Sequence, residues 1–406
     1  MMKERLARLG KAMEQELQED ILPWWMKYTP DHEFGGFHGH ITHENQAVER
    51  AGKGAILNTR ILWTFAAAYK KYHNQDYLDT AQRAYRYILE HFLDREYGGV
   101  YWELDYRGDV ISSRKQIYAI AFAIYALAEY HAACGDKDAL AMAISLFRDI
   151  EDHALDREKL GYWEALSREW EPMEDLRLSA KDQNESKTMN THLHIMEAYT
   201  NLYRTWKDPG LKKALGDLMV LFLEKFIDPV TLHLNLFFDD DWNLKSSLVS
   251  YGHDIECAWL LHEAAEVLDD RRMVEQTGRL AVDMARENFK GLDSDGGLYY
   301  EFFPLENKLD TTRHWWPQAE AVVGYLNAYQ LSGEEEFFFR ALSSWQFIEN
   351  QLLDKNLGEW YWGVDKNGNP QTDIEKAGFW KCPYHNSRAC LEVIRRTEET
   401  IKAEEK

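Results

Sequence analysis

Apolar and polar positions along the chain fall into two alternating helical patterns. Residues 115–133 (KQIYAIAFAIYALAEYHAA) are apolar nearly all round, which predicts a helix buried on every side. Residues 137–154 carry one stripe, Leu140, Ile144, Phe147 and Ile150, on a polar background. That spacing predicts an amphipathic helix packed on one face. The same pair recurs at 54–71 and 76–93, where Leu78, Ala81, Tyr85, Ile88 and Phe92 share the apolar face of the second helix. The predicted unit is a buried inner helix, a short turn and an amphipathic outer helix.

An Asp followed by a Gly- and aromatic-rich turn marks each unit: Asp31 (DHEFGGFHG), Asp94, Asp156, Asp228, Asp293 and Asp354, spaced 61 to 72 residues apart. The copy at Asp228 has lost its glycines and rests on spacing and pattern alone. After Asp354 only one helix follows, over 384–402, and residues 3–20 can supply its missing outer partner. Six pairs closed in this way predict an all-α, (α/α)6 barrel of twelve helices, a single domain spanning 1–406. An open solenoid is the alternative, and the split sixth copy argues against it, because closure protects both ends of a repeat array.

Composition narrows the partners. With 47 Lys and Arg against 69 Asp and Glu, the net charge of −22 repels phosphate, so neither nucleic acid nor an anionic membrane is an expected partner. No apolar run is expected to reach the roughly 18 residues a membrane helix needs, and residues 1–20 show no secretory h-region. The four cysteines form no CxxC pair, which fits a reduced, cytoplasmic setting. A monomer is favoured, although the sequence does not fix oligomeric state. The 15 Trp and 22 Tyr exceed what a core needs and suit a cleft that stacks on sugar rings.

Polar residues stand out near the starts of the inner helices: Asn58 and Arg60; Arg114, Lys115 and Tyr118; Asn190, His192 and His194; His253 and Glu256; His314, Trp315, Trp316 and Glu320; Trp380, His385 and Arg388. In a toroid every inner helix starts at the same mouth, so these groups are expected to converge on one cleft. Asn190 and His194 are i, i+4, and His253 and Glu256 are i, i+3, so each pair shares a helix face. His192 points elsewhere. Each residue also has a plain structural reading: a lone His can be a hydrogen-bonded core residue, Arg60 an inter-helix ion-pair partner, the Trp residues core, and Glu256 an orienting partner of His253. Equivalent ring positions for three histidines weigh against that reading. No HExxH spacing, GxGxxG or P-loop is present, so no metal and no cofactor are expected. Among the acids near the mouth, Asp182, Asp254, Glu256 and Glu320, nothing singles out a glycosidase pair.

Histidines on two sides of a bound carbon can remove a proton from one face and return it to the other. For an open-chain aldose that carbon is C2, and the enediolate formed needs a fixed cationic donor, for which Arg60 is the obvious choice. The chain resembles the N-acylglucosamine 2-epimerase superfamily, and within it the cellobiose 2-epimerase branch. The matching blocks are KGAILNTRILWTFAAAY (53–69), LSAKD (178–182), MNTHLHIMEAY (189–199), GHDIE (252–256), DTTRHWWPQAEA (310–321) and FWKCPYHNSRACLE (379–392), in order along nearly the whole chain.

The resemblance implies an (α/α)6 barrel and a metal- and cofactor-independent isomerase. His253 and His385 would be the acid/base pair at C2, and His194 would assist ring opening. Arg60, Tyr118 and Asn190 would hold the reducing-end sugar. Glu256 would partner His253, and Trp316 and Trp380 would stack on sugar rings, with Asp182 a further cleft residue. Trp315, Glu320 and Arg388 complete the expected substrate-binding set. The implied substrate is the reducing-end glucose of a β-1,4-linked disaccharide: cellobiose giving glucosyl-mannose, and lactose giving epilactose, with aldose–ketose isomerisation on the side. Alternatives are a monosaccharide 2-epimerase or isomerase (mannose, N-acetylglucosamine), a glycoside hydrolase or lyase of the same fold, and a non-catalytic sugar-binding protein.

Overall fold

The computed structural model describes residues 2–403; the ends of the expected 1–406 domain, Met1 and 404–406, lie outside the described residues. The helices are α1 (Met2–Glu16), α2 (Leu22–Tyr28), α3 (Ala55–Tyr72), α4 (Gln75–Tyr87), α5 (Ile117–Cys134), α6 (Lys137–His153), α7 (Met189–Thr205), α8 (Pro209–Leu221), α9 (Tyr251–Leu268), α10 (Arg271–Glu287), α11 (Trp315–Ser332), α12 (Glu335–Phe347) and α13 (Tyr384–Ala403). The six inner helices α3, α5, α7, α9, α11 and α13 pack in sequence, and α13 returns to α3. Each carries its outer partner, and α1 covers α13. The fold is an (α/α)6 barrel closed by the N-terminal helix.

Local chemistry sets the turns between paired helices. His73, Gly135, Asp269 and Gly333 end four inner helices in the left-handed conformation. In three of these turns the next residue, Asn74, Asp136 or Asp270, caps the outer helix by accepting backbone N–H bonds. The inner helix α5 is 18 residues long and apolar enough to cross a membrane, contrary to the expectation that no such stretch exists. It lies inside the ring, with Ile117 to Tyr130 buried.

The Asp markers hold the opposite end of each unit. Asp31, Asp94, Asp156, Asp228 and Asp354 each accept two backbone N–H bonds, from the residues two and three positions on. The residue four on is left-handed: Gly35, Gly98, Leu160, Leu232 and Gly358. Copy four therefore makes the same turn without glycine, Leu232 standing at φ 60°. The other marker oxygen takes a buried cation from the entry to the inner helix: Lys53 on Asp31, Lys115 on Asp94, Lys187 on Asp156, Arg313 on Asp293 and Lys376 on Asp354. Val249 occupies that place in copy four. Each entry segment pairs with the next unit's hairpin, Lys53 with Leu104 and Lys187 with Phe238 among them, and Ala377 pairs with Ile41 to close this second ring.

These ion pairs are inside the protein, so removing one partner strands a charge. Lys53 Nζ lies 2.7 Å from both Asp31 Oδ2 and the Gly35 carbonyl. Lys53→Met is expected to cost about 3–5 kcal/mol, read as a lowered urea midpoint. Asp228→Ala, which loses only turn bonds, is expected to cost about 1 kcal/mol. Equal losses in the two variants would refute this assignment of the buried pairs.

Candidate active site

The inner-helix starts meet at one mouth, and three histidines face each other there through aromatic rings. His253, in the first turn of α9, lies 4.7 Å from Trp316 between ring centroids, and Trp316 lies 5.6 Å from His385. His194 stands edge-on to Tyr118 at 4.9 Å, and Tyr118 is 6.0 Å from Trp380. Trp316 and Trp380 remain half-buried, as does His253. Gly252 permits the close approach: a Cβ there would fall 2.6 Å from the Trp316 indole.

Each histidine has its Nδ1 occupied. Ser250 Oγ lies 2.8 Å from His253 Nδ1, Glu197 Oε2 lies 2.9 Å from His194 Nδ1, and Glu320 Oε1 lies 2.7 Å from His385 Nδ1. A carboxylate partner fixes the proton on Nδ1 and leaves the Nε2 lone pair free. Burial pushes His253 down to about 3. Burial also lowers His194, and burial with the Arg60 and Arg388 charges holds His385 well below the usual range. All three are thus neutral bases at pH 7.

Arg60 is 2% exposed. Its guanidinium stacks over Phe122 at 4.2 Å and Tyr384 at 4.8 Å. One Nη donates to the Tyr118 hydroxyl at 2.8 Å, the other reaches only the Cys382 thiol at 3.5 Å, and Nε has no partner. Among the described residues no carboxylate hydrogen-bonds to it. A buried cation without a counter-ion is costly, and it is a ready site for an anion that forms during reaction. Asn190 adds a buried carbonyl oxygen with no partner.

Arg388, expected among the substrate ligands, is instead an internal cation. Its Nη2 lies 2.6 Å from both Glu256 Oε1 and Glu320 Oε1, and Nη1 bonds Glu197 and Tyr384. Glu320 and Glu256, expected in the same set, are both buried and turned to Arg388. Nor does Glu256 partner His253, whose Nδ1 meets Ser250; Glu256 lies 4.0 Å from His385 Nδ1. The i, i+3 spacing set the shared face correctly but not which neighbour the longer side chain reaches. Trp315 is a further correction. It is buried against Trp362 at 4.7 Å with Lys381 over its ring, one helical step of about 100° from Trp316. Lys115 and Arg114 also turn away, to Asp94 and to the Asp175 carbonyl. His192 is a core residue, bonded to the Thr188 carbonyl and the Tyr162 N–H. His314 packs on Tyr300 at 4.0 Å. Asp182 accepts from Ser179 in its own loop, and its charge acts on the buried Glu164 and on Tyr300 and Glu301.

Sequence reasoning missed Glu197, Ser250 and Tyr384. Glu197 carried a signal, being three residues after His194 on the same face. Tyr384 is one turn before Arg388. Ser250 had none. Among the described residues, Glu256, Glu320 and His385 are the one group with ligand atoms close enough for a metal, within 4.8 Å. The cation these two acids already hold is the Arg388 guanidinium.

The N-acylglucosamine 2-epimerase family model matches residues 35–389. The chain belongs to the N-acylglucosamine 2-epimerase family. Within the family it is 51% identical to a cellobiose 2-epimerase of Bacteroides fragilis, over 95% of this chain and 98% of that one. It is 42% identical to a cellobiose 2-epimerase of Ruminococcus albus, over 94% and 97% of the two chains. The solved cellobiose 2-epimerase of Bacillus thermoamylovorans superposes with a TM-score of 0.90 at 40% identity, covering 96% of this chain and 100% of that one.

Proposed function

We propose that the protein is a carbohydrate 2-epimerase that converts the reducing-end glucose of β-1,4-linked disaccharides to mannose, cellobiose to glucosyl-mannose and lactose to epilactose. The observation that carries this reading is Arg60, a buried guanidinium without a carboxylate, set among histidines with free Nε2 atoms. Once the sugar ring opens, the C1 carbonyl acidifies the C2–H. A histidine Nε2 on one side takes that proton, and the enediolate's negative charge falls to Arg60 and the Tyr118 hydroxyl that Arg60 holds. Rotation about C2–C3 presents the other face of C2, and the histidine across the Trp316 ring returns a proton. In this reading His253 and His385, on either side of Trp316, take these two roles, and His194, beside Tyr118, assists ring opening. Protonation at C1 instead gives a ketose, the expected side product.

Two features favour a disaccharide epimerase over the rivals. Trp380 is half-exposed at the mouth beside Trp102, 5.9 Å between centroids, and offers a face to a second sugar ring. A hydrolase would need two carboxyl groups flanking the scissile bond, with one as proton donor. The paired acids here, Glu256 and Glu320, are buried behind His385 and committed to Arg388. Proton NMR of cellobiose in D₂O with the protein is the test. A mannose-type anomeric signal with deuterium at C2 is expected. Free glucose would make the protein a hydrolase, and untouched cellobiose, mannose and N-acetylglucosamine would leave a binding protein.

A further inference from the structure

We propose that Glu256 keeps a proton in the working protein, and that this neutral carboxyl is a positioning residue for His385 and for the charge balance of the enediolate pocket. The proposal rests on the epimerase reading above.

Three carboxyl groups converge on Arg388 from three helices: Glu197 of α7, Glu256 of α9 and Glu320 of α11. All are at most 3% exposed. Their donors are unequal. Glu197 receives His194 Nδ1, the Tyr384 hydroxyl and Arg388. Glu320 receives His385 Nδ1 at 2.7 Å, Arg388 at 2.6 Å and Trp259 Nε1 at 3.1 Å. Glu256 receives Arg388 alone. A carboxylate with three donors is held ionised; one with a single donor, in the same dry cluster and beside another anion, gives up its charge most readily. With the proton on Glu256, the pocket holds two buried cations, Arg60 and Arg388, and two anions, Glu197 and Glu320, both of them on Arg388. Without it, the pocket carries a surplus anion where an anionic enediolate must form.

The other titratable groups facing Glu256 are His385 and Tyr384 of α13, Tyr118 of α5 and Glu197 of α7. None of them supplies the missing donor. Burial and the Glu320 charge push Glu256 up to about 8; burial raises Glu320 as well, against the pull of its three donors, while Arg388, His194 and Tyr384 hold Glu197, despite burial, at about 2. Glu256 is thus neutral at pH 7 and ionises as the pH rises through about 8, where turnover falls.

Infrared difference spectroscopy tests this without any turnover. The protein at pH 7 is expected to show a protonated-carboxyl C=O band that is lost in Glu256→Gln and that fades in the native protein as the pH is raised past its alkaline limb. In kinetics, the alkaline limb of kcat, normalised to each enzyme's own maximum, is expected to move up by at least about one pH unit in Glu256→Gln. Absence of the band, or superimposable normalised profiles, would overturn the proposal. Inactivity of the native protein on cellobiose would overturn only the functional reading, because the infrared result stands by itself.

Discussion

Arg60→Leu is expected to lower kcat on cellobiose by about 10³-fold while leaving the fold intact or more stable. The two halves of this expectation come from one observation. Arg60 is buried, stacked between Phe122 and Tyr384, and receives no carboxylate, so its charge is a cost to the folded protein. That cost is accepted where an anion will form. Replacing the guanidinium by an isobutyl group removes the stabiliser of the enediolate and relieves the buried charge together. Arg60→Lys is not expected to restore activity, since a lysine presents a point charge in place of the planar fork that reaches Tyr118. Steady-state kinetics with thermal unfolding on the same samples check both halves. Activity within tenfold of native, or a large loss of stability, would show that Arg60 is a structural residue. Arg388, with three carboxyl groups around it, is the contrasting case: truncating it strands the ionised ones, Glu197 and Glu320, and is expected to destabilise.

His253→Ala and His385→Ala are each expected to lower epimerisation by about 10³-fold, and to fail in opposite ways in D₂O. Each variant retains one base, so it can still exchange the C2 proton of the epimer that presents its hydrogen to that base. It cannot deliver a proton to the other face. One variant should wash deuterium into cellobiose without making glucosyl-mannose, and the other into glucosyl-mannose without making cellobiose. The geometry behind this is Trp316, whose ring neighbours both histidines. Their supports differ too, Ser250 hydroxyl for His253 and Glu320 carboxylate for His385, so the residual exchange rates need not match. Full exchange of both epimers in either variant would mean that the remaining histidine serves both faces, and the two-base reading would be lost.

The architecture was legible because it repeats. An inner helix apolar on all sides and an outer helix apolar on one face can pack in few ways, and six copies with a split last unit close on themselves. Even the copy without glycines was legible by spacing. The structure shows why: Asp228 makes the same two backbone bonds as its counterparts, and Leu232 accepts the left-handed position. The loss of the buried cation at Val249 was not read from the sequence, although Lys53, Lys115, Lys187, Arg313 and Lys376 sit at matching places in the other units.

The sequence by itself therefore determined the ring and which helix starts open on its mouth, since periodicity and chain direction decide both. It also placed His194, His253, His385, Arg60, Tyr118, Trp316 and Trp380 at that mouth. Only the tertiary structure decided which of the neighbouring polar residues face the cleft and which face each other. Trp315 and Trp316 are adjacent in sequence but lie about 100° apart around the helix, so one enters the wall and the other the site. Glu256, Glu320 and Arg388 are each polar residues near a helix start, indistinguishable in sequence from sugar ligands. They belong to α9, α11 and α13, and their charges cancel only where those three helices converge. Short-range patterns record which face a residue takes on its own helix. Whether a buried charge meets a partner or is left waiting for a substrate depends on residues far along the chain, 68 to 191 positions away for the acids on Arg388.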